Sequence, residues 1–494
     1  MSITLTRRGT AAAARHRTLA RVGAISPEWG DAIIYFAGAA FALITIFSSS
    51  EDLYRQWGNL ALGPFLGGAL ASAIFALVIQ RRAKRPGATG ALATASPASG
   101  GGAGSPRPPG GGWKGGSGDT PRTPRWQWTG RIVIAVVVFA GATAVPLALE
   151  ILWRSDHDAG SHFQPEVGVI EHAGQSLAKG KDPYHAVTNR HLKVVYHAPG
   201  LSTVDSFVPY LPLMTVFGLP SEKKNDTGLT DARIFFSLVT LLVTAAALWL
   251  CPASGRRRMR ALQVLAILPT AALPLATGGD DMPVVAFLLL AMVLAQRRQP
   301  FASGVVLGIV SAMKFTAWPL AALALFAARD RKGERRPILM FLGMLVIAGP
   351  VVVPFALQGP WAFFDNVVLF PLGLSGVTSP AASPLPGHLL VSAFPFLHRV
   401  VPLTVGLVGG AVLAWRLYLR PPQTTSQVCT LAGVVMAVIT LLAPATRIGY
   451  LLYPINFFVW AYLFSDVDRH DGIGPLQATT VSPGPRELSY STPA

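Results

Sequence analysis

Long apolar runs constrain this chain more than any other feature. "DAIIYFAGAAFALITIFSS", "LGPFLGGALASAIFALVIQ", "RIVIAVVVFAGATAVPLALEILW" and "ARIFFSLVTLLVTAAALWL" are four of a longer series. Each approaches or exceeds the roughly 18–20 residues that a helix needs to cross a hydrocarbon core. A large soluble protein can hold one such run, but not a series. Composition agrees: 51% of the 494 residues are hydrophobic and 13% are charged, about half the charge of an ordinary soluble domain. The expected fold class is an all-α polytopic integral membrane protein. About 10–12 transmembrane helices are expected, with external loops and re-entrant or broken helices.

The formal charge of +17 invites a nucleic-acid reading, which the distribution of charge removes. Lys and Arg lie in short clusters between apolar runs, the pattern of cytoplasmic loops. No basic patch is interleaved with aromatics, so no nucleic-acid partner is expected. Cys251 and Cys429 lie at or inside predicted spans and give neither a disulfide framework nor metal-ligand spacing. No metal or other cofactor is expected. The basic start "MSITLTRRGTAAAARHRTLARVG" precedes no cleavage pattern, so the first helix reads as retained.

Basic clusters then orient the chain. Residues 1–30 form a cytoplasmic N-terminus, and spans near 31–49 and 59–80 make a two-helix accessory hairpin ending in "RRAKR". The Gly-, Pro- and Ser-rich stretch 81–130 cannot bury enough apolar surface to fold and reads as a disordered cytoplasmic linker. A membrane core follows over 131–465, with spans near 131–153, 230–252, 261–277, 282–296, 337–357, 398–419, 427–444 and 450–465. Residues 466–494 read as a disordered cytoplasmic tail. "GRRRMR", "QRRQP", "RDRKGERR" and "RLYLRPP" all fall inside if two apolar pieces, "VPYLPLMTVFGLP" and "FASGVVLGIVSAMKFTAWPLAALALFAA", are not simple crossings. The second contains Lys314 and Pro319. A charge in mid-run is expensive in lipid and Pro removes a backbone donor, so two half-helices with Lys314 at the bend are expected. The protein is then a plasma-membrane protein with both termini inside. Its polar loops 154–207 and 358–397 lie outside, with "GGDD" at 278–281 between them.

Those outer segments hold the residues that can do chemistry. Asp156, Asp158, Glu166 and Glu171 follow the third span closely, and each reads as a base, an ion-pair partner or a solvated loop acid. "HDAGSH" lacks the spacing of a zinc site. In "GGDD", Gly278 and Gly279 end one helix while Asp280 caps the next, ahead of Pro283. That leaves Asp281 unexplained, and adjacent carboxylates repel unless solvated or paired. Lys314 and Arg447 are positive charges able to bind a phosphate, Arg through paired hydrogen bonds and Lys as a point charge. Snorkelling explains Arg447 equally well, but not Lys314, which is flanked by apolar residues on both sides.

"VIEHAGQSLAKGKDPY", "VPYLPLMTVFGLP", "DARIFF" and "LATGGDDMPVVAFLLLAMVLAQRRQPFASGVVLGIVSAMKFTAWPL" follow, in order and spacing, the pattern of glycosyltransferase family 87, which the chain resembles over about 131–465. The resemblance implies a C-type glycosyltransferase fold, like that of the actinobacterial polyprenol-phosphate-mannose-dependent mannosyltransferases. It implies transfer of a sugar, mannose by commonest precedent, from a polyprenyl-phosphate donor to an acceptor hydroxyl at the extracytoplasmic face. The acceptor is a glycolipid or cell-wall glycan. An acid of the first large external loop acts as base in one inverting step. That acid stands about seventeen residues before the "PY" pair, which lands on Glu166 and puts Glu where the family has Asp. Asp158 is the rival, with Asp156 behind it. The resemblance places Tyr184, Tyr210, Asp280 and Asp281 in the pocket and Lys314, His388 and Arg447 on the donor phosphate.

Two readings of other classes compete. A transporter also uses broken helices and buried charges, but matched interruptions in two halves are not seen. A family member that binds polyprenyl lipid without turnover is the other.

Overall fold

The computed structural model describes residues 26–84, 124–156, 162–184, 188–189, 194–195, 207–222, 228–328, 336–372, 375, 381–398 and 400–470. Asp158 and most of the expected linker and tail lie outside them. The architecture is that of an all-α polytopic membrane protein. Among the described residues nine helices are long and apolar enough to cross a membrane. They are α1 (Pro27–Ser48), α2 (Asp52–Lys84), α3 (Arg125–Ser155), α5 (Ala232–Leu250), α6 (Gly255–Thr277), α10 (Arg336–Gln358), α12 (Val400–Leu419), α13 (Thr425–Leu442) and α14 (Leu452–His470). Shorter helices stand between them: α4 (Pro165–Ala178), α7 (Asp281–Gln296), α8 (Pro300–Ser311), α9 (Trp318–Ala327) and α11 (Pro386–Ala393). The described strands are the two-residue pair Thr188–Asn189 and Val194–Val195.

The chain divides into two compact units. One comprises residues 1–172, 220–238 and 263–282, the other 173–219, 239–262 and 283–494.

In the first unit the expected accessory hairpin is joined to the third span. Arg131 of α3 grips Asp31 of α1 with both ends of its guanidinium, Nε to Oδ2 at 2.6 Å and the second nitrogen to Oδ1 at 3.1 Å. The Gln263 amide donates to Asp31 and to the Tyr35 hydroxyl. All four residues are buried, so the charges neutralise each other away from lipid. A second tie repairs a backbone defect. Pro146 has no N–H for the carbonyl of Ala142, and α3 opens into a π-turn over Ala140–Ala144. The Trp57 indole of α2 supplies the missing donor, 3.0 Å from that carbonyl. Helix boundaries also shift from the sequence expectation. Ser26 caps α1 by accepting from the Trp29 N–H, with Pro27 in the first turn, so the helix starts ahead of residue 31. The last helix runs to His470, past the expected tail boundary at 466.

In the second unit the run holding Lys314 is broken as its charge and proline demand. α8 ends at Ser311, Lys314 is extended (φ −154°, ψ 141°), and a short 3-10 turn leads into α9, where Pro319 lies in the first turn. "VPYLPLMTVFGLP" is likewise no crossing but a 3-10 helix, Pro212–Glu222. Its start is tied to the break, Leu211 N–H to the Met313 carbonyl at 3.0 Å and Leu213 N–H to Ala312 at 2.9 Å. Glycines let α8 and α10 touch closely: a Cβ on Gly308 would meet the Met344 carbonyl at 2.6 Å. The expected loop 358–397 is partly helical, with a π-turn at Asp365–Leu369 and α11.

Candidate active site

The first unit carries the acids. The polar segment after α3, expected as loop, contains α4, which opens with Pro165 and Glu166. Both suit a first turn: Pro has no N–H to lose, and a carboxylate faces the positive end of the helix dipole. The Gln164 N–H and side-chain amide bind the carbonyl and hydroxyl of Thr277 at 2.9 and 2.8 Å. Next in the chain, Gly278 ends α6 with φ 110°, and a Cβ there would collide with Val167. Only glycine satisfies both conditions. Gly278 of "GGDD" therefore packs against the turn that carries Glu166. Asp280 is buried just ahead of α7, and Asp281 is its half-buried first residue. Asp156 is exposed at the end of α3.

Glu171, on the same helix as Glu166, belongs to an ion network that the sequence did not reveal. The Arg154 guanidinium binds both oxygens of Glu171, at 3.0 and 2.6 Å, and Asp231 at 2.7 Å. It also covers the Phe163 ring at 3.9 Å. Asp231 pairs with the fully buried Arg233, which donates to the carbonyls of His162 (2.6 Å) and Glu150 (3.5 Å). Burial pushes the Asp231 carboxyl up, but the hydrogen bonds and charge of Arg233, with Arg154, bring it below its ordinary value. The Glu150 carboxylate meets His162 Nδ1 at 3.0 Å. "DARIFF" thus supplies the clamp that fixes the segment before Glu166. The one sequence signal for it was a buried-type Arg beside an Asp at the start of an apolar run.

The second unit carries the cationic groups. Lys314 is buried, its ammonium 5.4 Å from the Tyr210 ring and 5.7 Å from the Tyr450 ring, within cation–π range. The Tyr184 hydroxyl donates to the Tyr210 carbonyl at 2.8 Å, and its ring packs edge-on to Phe363. Burial, then the Asp182 charge, hold that phenol well above its ordinary value, so Tyr184 stays a neutral donor. Tyr184, Tyr210 and Lys314 are thus brought together. His388 and Arg447 belong to a neighbouring strap. The His388 ring donates from Nδ1 to the Pro444 carbonyl at 3.1 Å, and Ser392 lies 3.3 Å from Nε2. The Thr446 carbonyl and N–H pair with Ser383 and Ala381. Arg447 begins the turn whose Tyr450 faces Lys314. Among the described residues no group of three or more His, Cys, Asp or Glu is placed to hold a metal.

Residues 208–444 match the model of glycosyltransferase family 87. The matched stretch includes Tyr210, Asp280, Asp281, Lys314 and His388, and it leaves Glu166 and Tyr184 ahead of its start and Arg447 just past its end. A comparison with curated proteins finds no match.

Proposed function

The chain belongs to glycosyltransferase family 87, and from that premise we propose that it moves a sugar, mannose in the first instance, from a polyprenyl phosphate to an acceptor hydroxyl. The reaction takes place at the outer face of the plasma membrane, and the acceptor is a glycolipid or cell-wall glycan. Lys314 carries this reading. A buried ammonium at a helix break, 5.4 and 5.7 Å from two tyrosine rings, is a compact point charge of the kind that binds a phosphate oxygen.

In one step the Glu166 carboxylate takes the proton of the acceptor hydroxyl. The oxygen attacks the anomeric carbon, and the bond from that carbon to the phosphate oxygen breaks. The electron pair leaves with the polyprenyl phosphate, and the configuration inverts. Lys314 meets the charge that grows on the leaving phosphate, with Arg447 and His388 assigned to the same group. Tyr184 and Tyr210, and separately Asp280 and Asp281, are assigned to binding of the sugar and the acceptor. A lipid-borne donor needs no nucleotide-binding loop, which fits a chain without a Gly-rich phosphate motif.

The test is transfer from radiolabelled polyprenyl-phosphate mannose into an actinobacterial lipid extract by the full chain in nanodiscs. Glu166→Gln should lower the rate by about 10²–10⁴-fold, with Asp158→Asn near wild type. The reverse pattern moves the base to Asp158. Donor bound but never transferred by wild type overturns the enzyme reading in favour of a non-catalytic polyprenyl-lipid binder.

A further inference from the structure

Glu150 and His162 make a buried polar pair that the reaction above does not use. Glu150 is fully buried and His162 is 6% exposed. Their contact, Oε2 to Nδ1 at 3.0 Å, employs one polar atom of each. The other two, Glu150 Oε1 and His162 Nε2, are buried and have no hydrogen-bond partner among the described residues. Arg233 holds the backbone carbonyl of both residues, so the pair is set rigidly.

Donor and acceptor atoms define what the pair presents. The ring donates Nδ1–H to the Glu150 carboxylate and presents Nε2, while Glu150 offers Oε1 as an acceptor. Leaving two buried polar atoms unmet is costly. Both are met by groups that donate and accept at once, which is the chemistry of carbohydrate hydroxyls. The half-buried Trp153 ring lies beside His162, with centroids 5.7 Å apart, an aromatic wall suited to the C–H face of a sugar. His162 also stands four residues ahead of Glu166.

We propose that Glu150 and His162 form a hydroxyl-reading site for the sugar of the donor or of the acceptor, an inference that rests on the glycosyltransferase reading. The experiment uses the full chain in nanodiscs. His162→Asn keeps a donor toward Glu150 and deletes the Nε2 position, whereas His162→Gln restores a donor near it. KM and kcat are measured with polyprenyl-phosphate mannose, with its single-deoxy analogues, and with deoxy-sugar acceptors.

His162→Asn should raise KM by about 10–100-fold for the fully hydroxylated sugar, and His162→Gln should recover most of that loss. One deoxy analogue should be insensitive to His162→Asn. If it is a donor analogue the site reads the donor; if an acceptor analogue, the acceptor. Equal sensitivity across all analogues overturns the proposal, as does a lowered thermal midpoint with KM unchanged. Either result leaves a structural pair satisfied by a buried water only. If Asn at 162 prevents folding, Glu150→Gln is read by the same criteria.

Failure of wild type to transfer any sugar sinks the enzyme reading but not this one. Saturation-transfer NMR with methyl α-mannopyranoside and its deoxy analogues then decides. Binding to wild type that is lost in His162→Asn supports the site, and no binding to wild type overturns it.

Discussion

At the scale of single residues, Asp231 shows how the charged cluster is held. Its carboxyl is lower than ordinary in the folded protein, so its contribution to stability is fully present above the unfolded value of about 4. The contribution is lost as pH falls through the depressed folded value. Asp231→Asn removes one partner of a buried pair and should cost about 3–5 kcal/mol at neutral pH. The check is the thermal midpoint of wild type and variant in nanodiscs between pH 7 and 3. The gap should be constant down to about pH 4 and close below it. A gap that persists at pH 3 would mean that Asp231 acts through packing and not through charge. Glu150 and Asp231 were visible in the sequence as acids but not as partners, and Glu171 as a candidate ion-pair acid whose partner was not. Arg154 and Asp231 stand 77 residues apart, and no local pattern pairs charges over that span. Lys314 was legible for the opposite reason. A lone charge in a long apolar run has few inexpensive solutions, and the broken helix is one of them.

At the scale of elements, the helix that carries Glu166 was the least legible. "PEVGVIEHAGQSLA" repeats apolar residues at helical spacing (Val167, Ile170, Ala173 and Leu177), and Pro165 marks its start. Its density of acids and histidines reads as loop, because next to membrane spans polarity outweighs periodicity. The packing of α4 depends on a site that sequence cannot reveal. A Cβ on Gly174 would run into the backbone of Gly218 in the 3-10 helix. Neither side can yield as a flexible side chain would, so Gly174→Ala should destabilise by about 1–3 kcal/mol. Gly63→Ala in α2, where a Cβ meets nothing within 4 Å, should be neutral or slightly stabilising because Ala favours helix. Thermal midpoints of the two variants measured side by side check both halves. Equal midpoints would show that the α4 contact is looser than its geometry.

At the scale of the whole molecule, the sequence conveyed the medium and the helical class, and the helix count less well. The stretch expected as a span at 282–296 is a 16-residue helix, and the run around Lys314 is two short ones. Hydropathy averages over a window and does not register where a helix stops inside a buried core. The low-complexity linker behind the hairpin looks, in sequence, like a domain boundary. Yet α1 and α2 are fixed to α3 by the Asp31–Arg131 pair and by the Trp57 indole. Two coexpressed pieces, residues 1–104 and 105–494, should therefore co-purify, and Arg131→Ala should abolish the association. Co-purification that survives Arg131→Ala would assign the join to apolar packing alone.

The same pair has a consequence for synthesis. Asp31 and Arg131 are 100 residues apart, and ribosomes add about 5–20 residues per second. Asp31 is therefore synthesised about 5–20 s before its counter-charge exists. For that interval Asp31 is without Arg131, and the length of the linker sets how long the interval lasts. Shortening the linker brings the partner sooner, and a slow stretch of codons within it prolongs the wait.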